Sequence, residues 1–249
     1  MKRLSIAVLF VMCLALIAGT TLAADRQVTI TPLMGDAIPY SQGINPSGAD
    51  GDCQMGNLNP PYYALGDYIW GAEKYKYLFY ADSDQCPVCT EGFTVESVTL
   101  YVQFGVEDVP STFDARVDFE EAIWDDDLQC WFPGPEICVS SAYTVTIDAA
   151  GLYAITLPMD TACACAEFGY WYGISFEFLT AFESGTEPDI VTDNIPVGCV
   201  SWNDYGAGWA DLQDFGFPGE INMVADIICC SNPVPAEKST WGEIKAMFR

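Results

Sequence analysis

Between residues 202 and 209 the chain carries the side chains of a sugar-binding surface. Trp202, Tyr205 and Trp209 offer rings that stack on the apolar face of a sugar, while Asn203 and Asp204 offer groups that bond its hydroxyls. Asp211, Asp214, Phe215 and Phe217 follow in the same Gly/Asp-rich stretch. A second role fits the same rings, since a β-structure needs large loop aromatics to plug its ends. Exposure separates the two: rings that contact ligand form one open patch, and plugging rings fold under.

Carboxylates are the second candidate chemistry. Asp50 and Asp52 flank Gly51, Asp82 and Asp84 flank Ser83, and Asp125, Asp126 and Asp127 follow Trp124 in succession. Calcium takes roughly six to eight hard oxygens, which acidic loops supply together with backbone carbonyls. Asp50 and Asp52, with Asn45 and Asn57 nearby, come nearest to such a loop, although no stretch has the full EF-hand spacing. Solvated turns explain the same pattern, because Asp is favoured there. Calcium is the one cofactor these residues suggest.

Glycosidic hydrolysis would also use two carboxylates, held at a fixed separation across a groove. With 35 Asp and Glu in the chain some pair always fits, so pairing alone carries no weight. The chain has no His, which removes Ser-His-Asp and Cys-His catalysis and every imidazole metal site. No Gly-x-Ser-x-Gly, Ser-x-x-Lys or Asp-Thr-Gly motif is present. The expectation is a non-catalytic protein.

The elements that position these groups begin behind a targeting segment. Met1-Lys2-Arg3 precedes an apolar run from Leu4 to Ala18, and Thr21-Leu22-Ala23 gives a small-x-small end. Residues 1–23 therefore read as a secretory signal peptide, because the run is short for a membrane anchor and ends in small and polar residues. Its removal takes Cys13 and leaves ten of the 11 cysteines: Cys53, Cys86, Cys89, Cys130, Cys138, Cys163, Cys165, Cys199, Cys229 and Cys230. An even number in an exported chain reads as five disulfides. Zinc is the alternative, since Cys86-Pro-Val-Cys89 and Cys163-Ala-Cys165 have ligand-like spacing. Cys130 and Cys138 flank Trp131–Pro135 and are expected to staple one loop between two strands.

Residues 24–75, rich in Gly, Pro, Asn and Tyr, read as an irregular extension with one strand-like stretch at Gln27–Thr31. Beyond about residue 76 the period is 2. Val98, Leu100, Val102 and Phe104 alternate with Thr99, Tyr101 and Gln103. Ala115, Val117 and Phe119 alternate with Asp114, Arg116, Asp118 and Glu120, a strand expected to face its apolar side inward and its charges outward. Tyr143–Ile147 and Leu152–Leu157, joined by Ala149-Ala150-Gly151, read as a hairpin. Short strands separated by Pro/Gly/Asp turns predict an antiparallel all-β sandwich over 76–230, jelly-roll or immunoglobulin-like, stapled by disulfides. Residues 231–249 read as a linker and tail with a short C-terminal helix. There Thr240 and Glu243 have capping-box spacing, Trp241, Ile244 and Phe248 share one face, and Lys245 and Arg249 are basic.

The net charge is −26, and loss of Lys2 and Arg3 makes it more negative still. Such a surface repels phosphate backbones, so no nucleic-acid partner is expected. The same acid excess keeps salt-exposed exported proteins soluble without any partner.

The tail, with Trp241-Gly242-Glu243-Ile244-Lys245 and the final Arg249, resembles the ends of uncharacterised secreted bacterial disulfide-rich β-sandwich proteins that carry a C-terminal Trp-Gly-x-Ile-Lys tail. Thr192–Pro196, Cys199–Gly206 and Phe217-Pro218-Gly219 support the resemblance over about 76–249. It implies export and sorting or anchoring through Trp241, Ile244, Lys245 and Arg249, and brings no activity with it. The functional expectation is an exported extracellular or cell-surface structural or adhesive protein, without a transmembrane span after signal cleavage. The alternative is a carbohydrate-binding module, calcium-dependent or not, whose partner is a polysaccharide or another cell-surface component. The periplasm also fits the compartment, and oligomeric state is not legible.

Overall fold

The computed structural model describes residues 27–33, 53–66 and 68–230. The period-2 stretches form two seven-stranded sheets, antiparallel throughout and packed face to face. One sheet holds β1 (Thr29–Leu33), β2 (Cys53–Gly56), β3 (Tyr63–Leu65), β5 (Phe93–Phe104), β9 (Gly151–Pro158), β11 (Asp189–Thr192) and β14 (Met223–Cys229). The other holds β4 (Gly71–Tyr80), β6 (Ser111–Asp125), β7 (Cys130–Val139), β8 (Tyr143–Ile147), β10 (Trp171–Ala181), β12 (Ser201–Asp204) and β13 (Trp209–Asp211). This is the disulfide-stapled all-β sandwich that the alternation predicts.

Long strands organise both sheets. β5 lies beside β9 along one edge, and its other edge is shared by β14 and β11. β6 likewise pairs β10 on one side and divides the other between β8 and β7. Val98, Leu100, Val102 and Phe104 of β5 all point into the core, where they meet Phe113, Val117 and Phe119 of β6 and Ile174, Phe176 and Phe178 of β10.

Three expectations about connectivity are corrected. The extension at 24–75 contributes β1, β2 and β3 to the first sheet and the start of β4 to the second. β1 overlaps the strand-like stretch Gln27–Thr31 and pairs β9, whereas β2 and β3 exist through pairing with the distant β14 and β11, which local periodicity cannot reveal. Tyr143–Ile147 and Leu152–Leu157 do not form a hairpin: β8 pairs β6, and β9 pairs β5 and β1 in the opposite sheet. Val145 and Ile147 thus face Tyr153, Ile155 and Leu157 across one core. Cys130 and Cys138 both lie on β7 and join separate partners, Cys199 and Cys163.

The remaining disulfides are Cys53–Cys86, Cys89–Cys229 and Cys165–Cys230. All ten cysteines of 53–230 are paired, which removes the zinc reading. The Cys86-x-x-Cys89 turn is fixed twice, to β2 by one bridge and to β14 by the other.

A smaller apolar cluster occupies the other face of β4. Leu78, Cys130 and Trp202 are buried there under Trp131, Phe132, Trp171 and Trp209. The Cys130–Cys199 bridge fastens β7 to the chain entering β12 across this face. Covering it also buries Asp118 and Glu120, so the outward charges expected of β6 are enclosed, while Asp114 stays exposed.

Candidate functional site

A cavity of about 260 Å³ opens beside β4 and β12. Tyr68, Trp70, Tyr75, Tyr205, Leu212 and Phe215 line it, with Glu73 and Asn203 as its polar groups. Gly71 makes its base possible. At φ +76° it sits opposite the bulge of β10 between Phe178 and Ala181, where an added Cβ would lie 2.0 Å from the Thr180 carbonyl oxygen. The chain then turns so that Trp70 N–H (2.6 Å) and Gly71 N–H (3.2 Å) both donate to Glu73 Oε1. Asn203 Nδ2 donates to Glu73 Oε2 at 3.0 Å, which connects β12 to the same carboxylate.

Burial raises the Glu73 carboxyl above its ordinary pKa, and the hydrogen bonds from Asn203, Gly71 and Trp70 act against that. Tyr75 donates its hydroxyl to the Tyr68 carbonyl at 2.7 Å, and its burial raises its pKa well above the usual phenol value. Trp70, Tyr205 and Phe215 form the exposed rim, with Tyr205 and Phe215 edge to face at 6.4 Å. Phe215 is held by a short 3₁₀ turn, Leu212–Phe215, capped by the Asp211 carboxylate accepting Gln213 N–H and closed by Gly216 in the left-handed region. The result is a ring-walled cavity with one carboxylate and one amide at its base.

The sequence-selected aromatic set is divided by the fold. Tyr205, Asn203 and Phe215 reach the cavity. Trp202 is only 3% exposed and packs edge to face on Phe132 at 5.0 Å. Trp209 is half-buried, with Lys76 Nζ 4.1 Å from its ring centre. Asp204 Oδ1 accepts from Gly206 and Gly208 N–H groups and closes the turn between β12 and β13. Trp202, Tyr205 and Trp209 therefore do not form one open patch, because strand alternation sends Trp202 and Asn203 to opposite faces. Trp70, Tyr68 and Glu73 were missed, since they lie in the segment read as irregular.

The acidic loops are occupied by their own turns. Asp125 Oδ1 accepts from Asp127 and Leu128 N–H groups, and Asp126 Oδ1 accepts from Trp124 Nε1. Asp127 is exposed at the tip between β6 and β7. Asp50 and Asp52, the signal segment 1–23 and the tail residues Trp241, Ile244, Lys245 and Arg249 lie outside the described residues.

Two buried polar groups carry no signal in the sequence. Asp193 and Glu220 sit with Asn57 between the sheets: Asn57 Nδ2 donates to Asp193 Oδ2 at 3.1 Å, and Glu220 N–H donates to Asp193 Oδ1 at 2.8 Å. Burial pushes the Glu220 carboxyl up to about 7, against hydrogen bonds from Ser201 and Val197. On the outer face of the second sheet, Lys74 and Lys76 meet Asp118, Glu120 and Glu136.

No curated protein and no solved structure matches the chain. A family described as Domain of unknown function (DUF7451) matches residues 65–226, which include β4 to β13, the cavity and the buried charges. Because that match spans more than half of the sequence, the chain belongs to the DUF7451 family.

Proposed function

We propose that this is a non-catalytic exported protein of the extracellular space or cell surface, with a structural or adhesive role. The observation that carries the reading is the set of five disulfides, which tie strand ends and loops together and suit an oxidising environment. The N-terminal basic and apolar run supports export, and the Trp241–Arg249 segment is the proposed sorting or anchoring element. The test is to express the full chain with its own N-terminus and follow mass and fractionation. The expected product is processed, fully oxidised and outside the cytoplasm, and removal of Glu237–Arg249 shifts it between surface and medium. An unprocessed, thiol-bearing chain retained in the cytoplasm would overturn the reading.

Carbohydrate binding is the second reading, favoured by one observation: Asn203 and Tyr205 share a cavity with the exposed ring of Trp70. Rings stack on sugar faces and the Glu73 and Asn203 side chains bond hydroxyls. Tryptophan fluorescence of the folded protein, titrated with a polysaccharide panel with and without calcium, is expected to shift saturably. The shift is lost in Trp70→Ala and kept in Trp209→Ala, since Trp209 faces Lys76. The absence of any shift across the panel leaves the structural reading alone.

A further inference from the structure

Lys76 is fully buried in the middle of β4. Its Nζ touches Glu120 Oε2 on β6 and lies beneath the Trp209 ring. β10 runs between β4 and β6, and the lysine side chain crosses it at Gly173. A Cβ at Gly173 would stand 3.1 Å from Lys76 Cδ and 2.9 Å from Leu78 Cδ2, so the missing side chain opens the passage.

Glu120 is also buried, its Oε1 accepting from Ser175 Oγ at 3.1 Å and pairing with Lys74 Nζ at 2.8 Å. Asp118 is fully buried against Lys74, and the carboxylate oxygens of Asp118, Glu120 and Glu136 lie within 4.8 Å of one another. Leu78, Trp202, Trp131 and Phe132 exclude water from this face.

An ordinary buried ammonium requires acceptors for its protons. Among the described residues the acceptor that Lys76 Nζ contacts is Glu120 Oε2, and the Trp209 ring covers it. Burial, and then the Lys74 ammonium, push Lys76 down to about 6, against Asp118, Glu136 and Asp204, which favours the uncharged, nucleophilic amine. Burial also raises the Asp118 carboxyl, with Lys74 acting against it. Lys74 keeps solvent contact and three carboxylate partners, which makes it the counter-ion of the group.

We propose that Lys76 and Glu120 are joined by an isopeptide bond that forms once the sheet has folded. The Lys76–Glu120 pair reacts in its neutral form, amine and carboxylic acid, reached when one proton passes from Nζ to the carboxylate in contact with it. The Nζ lone pair then attacks Cδ of Glu120 and forms the new C–N bond. Asp118 accepts a proton from that nitrogen and delivers one to the departing hydroxyl. The C–O bond then breaks and one water leaves, with no change of oxidation state. Proximity in a water-excluding site favours the step, and the amide leaves no ionisable group at either buried side chain. The bond ties β4 to β6 across β10, so shear of the sheet is resisted by a covalent tie as well as hydrogen bonds. It rests on the geometry of the sheet, independently of the export and sugar readings.

Intact mass and peptide mapping of the reduced and alkylated full chain decide the matter. The expected mass is one water below that of the processed sequence, with a branched peptide linking Lys76 to Glu120. Glu120→Ala and Lys76→Met are expected to restore the full mass, and Asp118→Asn to leave much of the protein unlinked. Full mass in the wild-type protein, or a water loss mapped to other residues, would overturn the proposal without recourse to any variant. Complete linkage in Asp118→Asn would overturn the proton-transfer role given to Asp118. Either result leaves the secretion and glycan tests untouched.

Discussion

Burial, more than residue type, sets the chemistry of the polar side chains in this protein. Glu73, Asp118, Glu120, Asp193 and Glu220 are all carboxylates removed from water, yet each has a different set of partners. Glu220 gives the plainest consequence. Its carboxyl is raised to about 7 in the fold, so the folded chain holds a proton that the unfolded chain releases near the ordinary value. Its contribution is fully present below that ordinary value and is lost as pH rises through about 7. A rise from 4.5 to about 7 sets an upper bound of about 3 kcal/mol on the loss. Urea unfolding of Glu220→Gln beside the wild type, between pH about 5 and about 8, is expected to show a flatter dependence and greater stability at the alkaline end. Lys76, lowered to about 6, slopes the other way in both proteins, so a wild-type profile that falls no more steeply than that of Glu220→Gln would contradict the assignment.

At the scale of elements, the outer face of the second sheet depends on how β7 and the β12 hairpin are fastened over it. The Cys130–Cys199 bridge closes a chain separation of 69 residues and lies in the cluster that contains Trp202. Replacing both cysteines with Ala is expected to cost about 2–4 kcal/mol in chemical unfolding. Trp202 emission should move to longer wavelength as water reaches its ring. Unchanged emission together with unchanged stability would mean that packing of Phe132 and Trp131 holds the cover without the bridge.

For the whole molecule, 35 acidic residues against nine basic ones leave a formal charge of −26 that self-repulsion turns against the compact state. Screening shortens from about 10 Å at 0.1 M salt to about 3 Å at 1 M. Calorimetry of the oxidised protein is expected to show Tm rising by a few degrees over that range in sodium chloride. A falling Tm would indicate that the buried pairs of Lys74 and the Arg116–Glu177 pair, at 2.6 Å, outweigh the general repulsion. The five disulfides restrict the unfolded chain regardless of salt, so reduction and salt should act additively.

Local pattern determined what local pattern can encode. Alternation along Val98–Phe104 and Ala115–Phe119 specified strands and their core-facing side, and ten cysteines behind an export-like leader specified five bridges. Which cysteines pair, which sheet receives β8 and β9, which strand β1 joins, and that β2 and β3 are strands at all depend on neighbours far along the chain. One wall of the cavity is legible: Asn203, Tyr205 and Phe215 come from a conspicuous stretch, whereas Glu73 and Trp70 acquire their positions from a glycine opposite a bulge. Asp118 and Glu120 look solvent-facing by their period, and only a second layer of Trp and Cys side chains packed over β6 makes them buried. Period assigns a residue to one side of a sheet, and tertiary structure alone decides whether that side meets water.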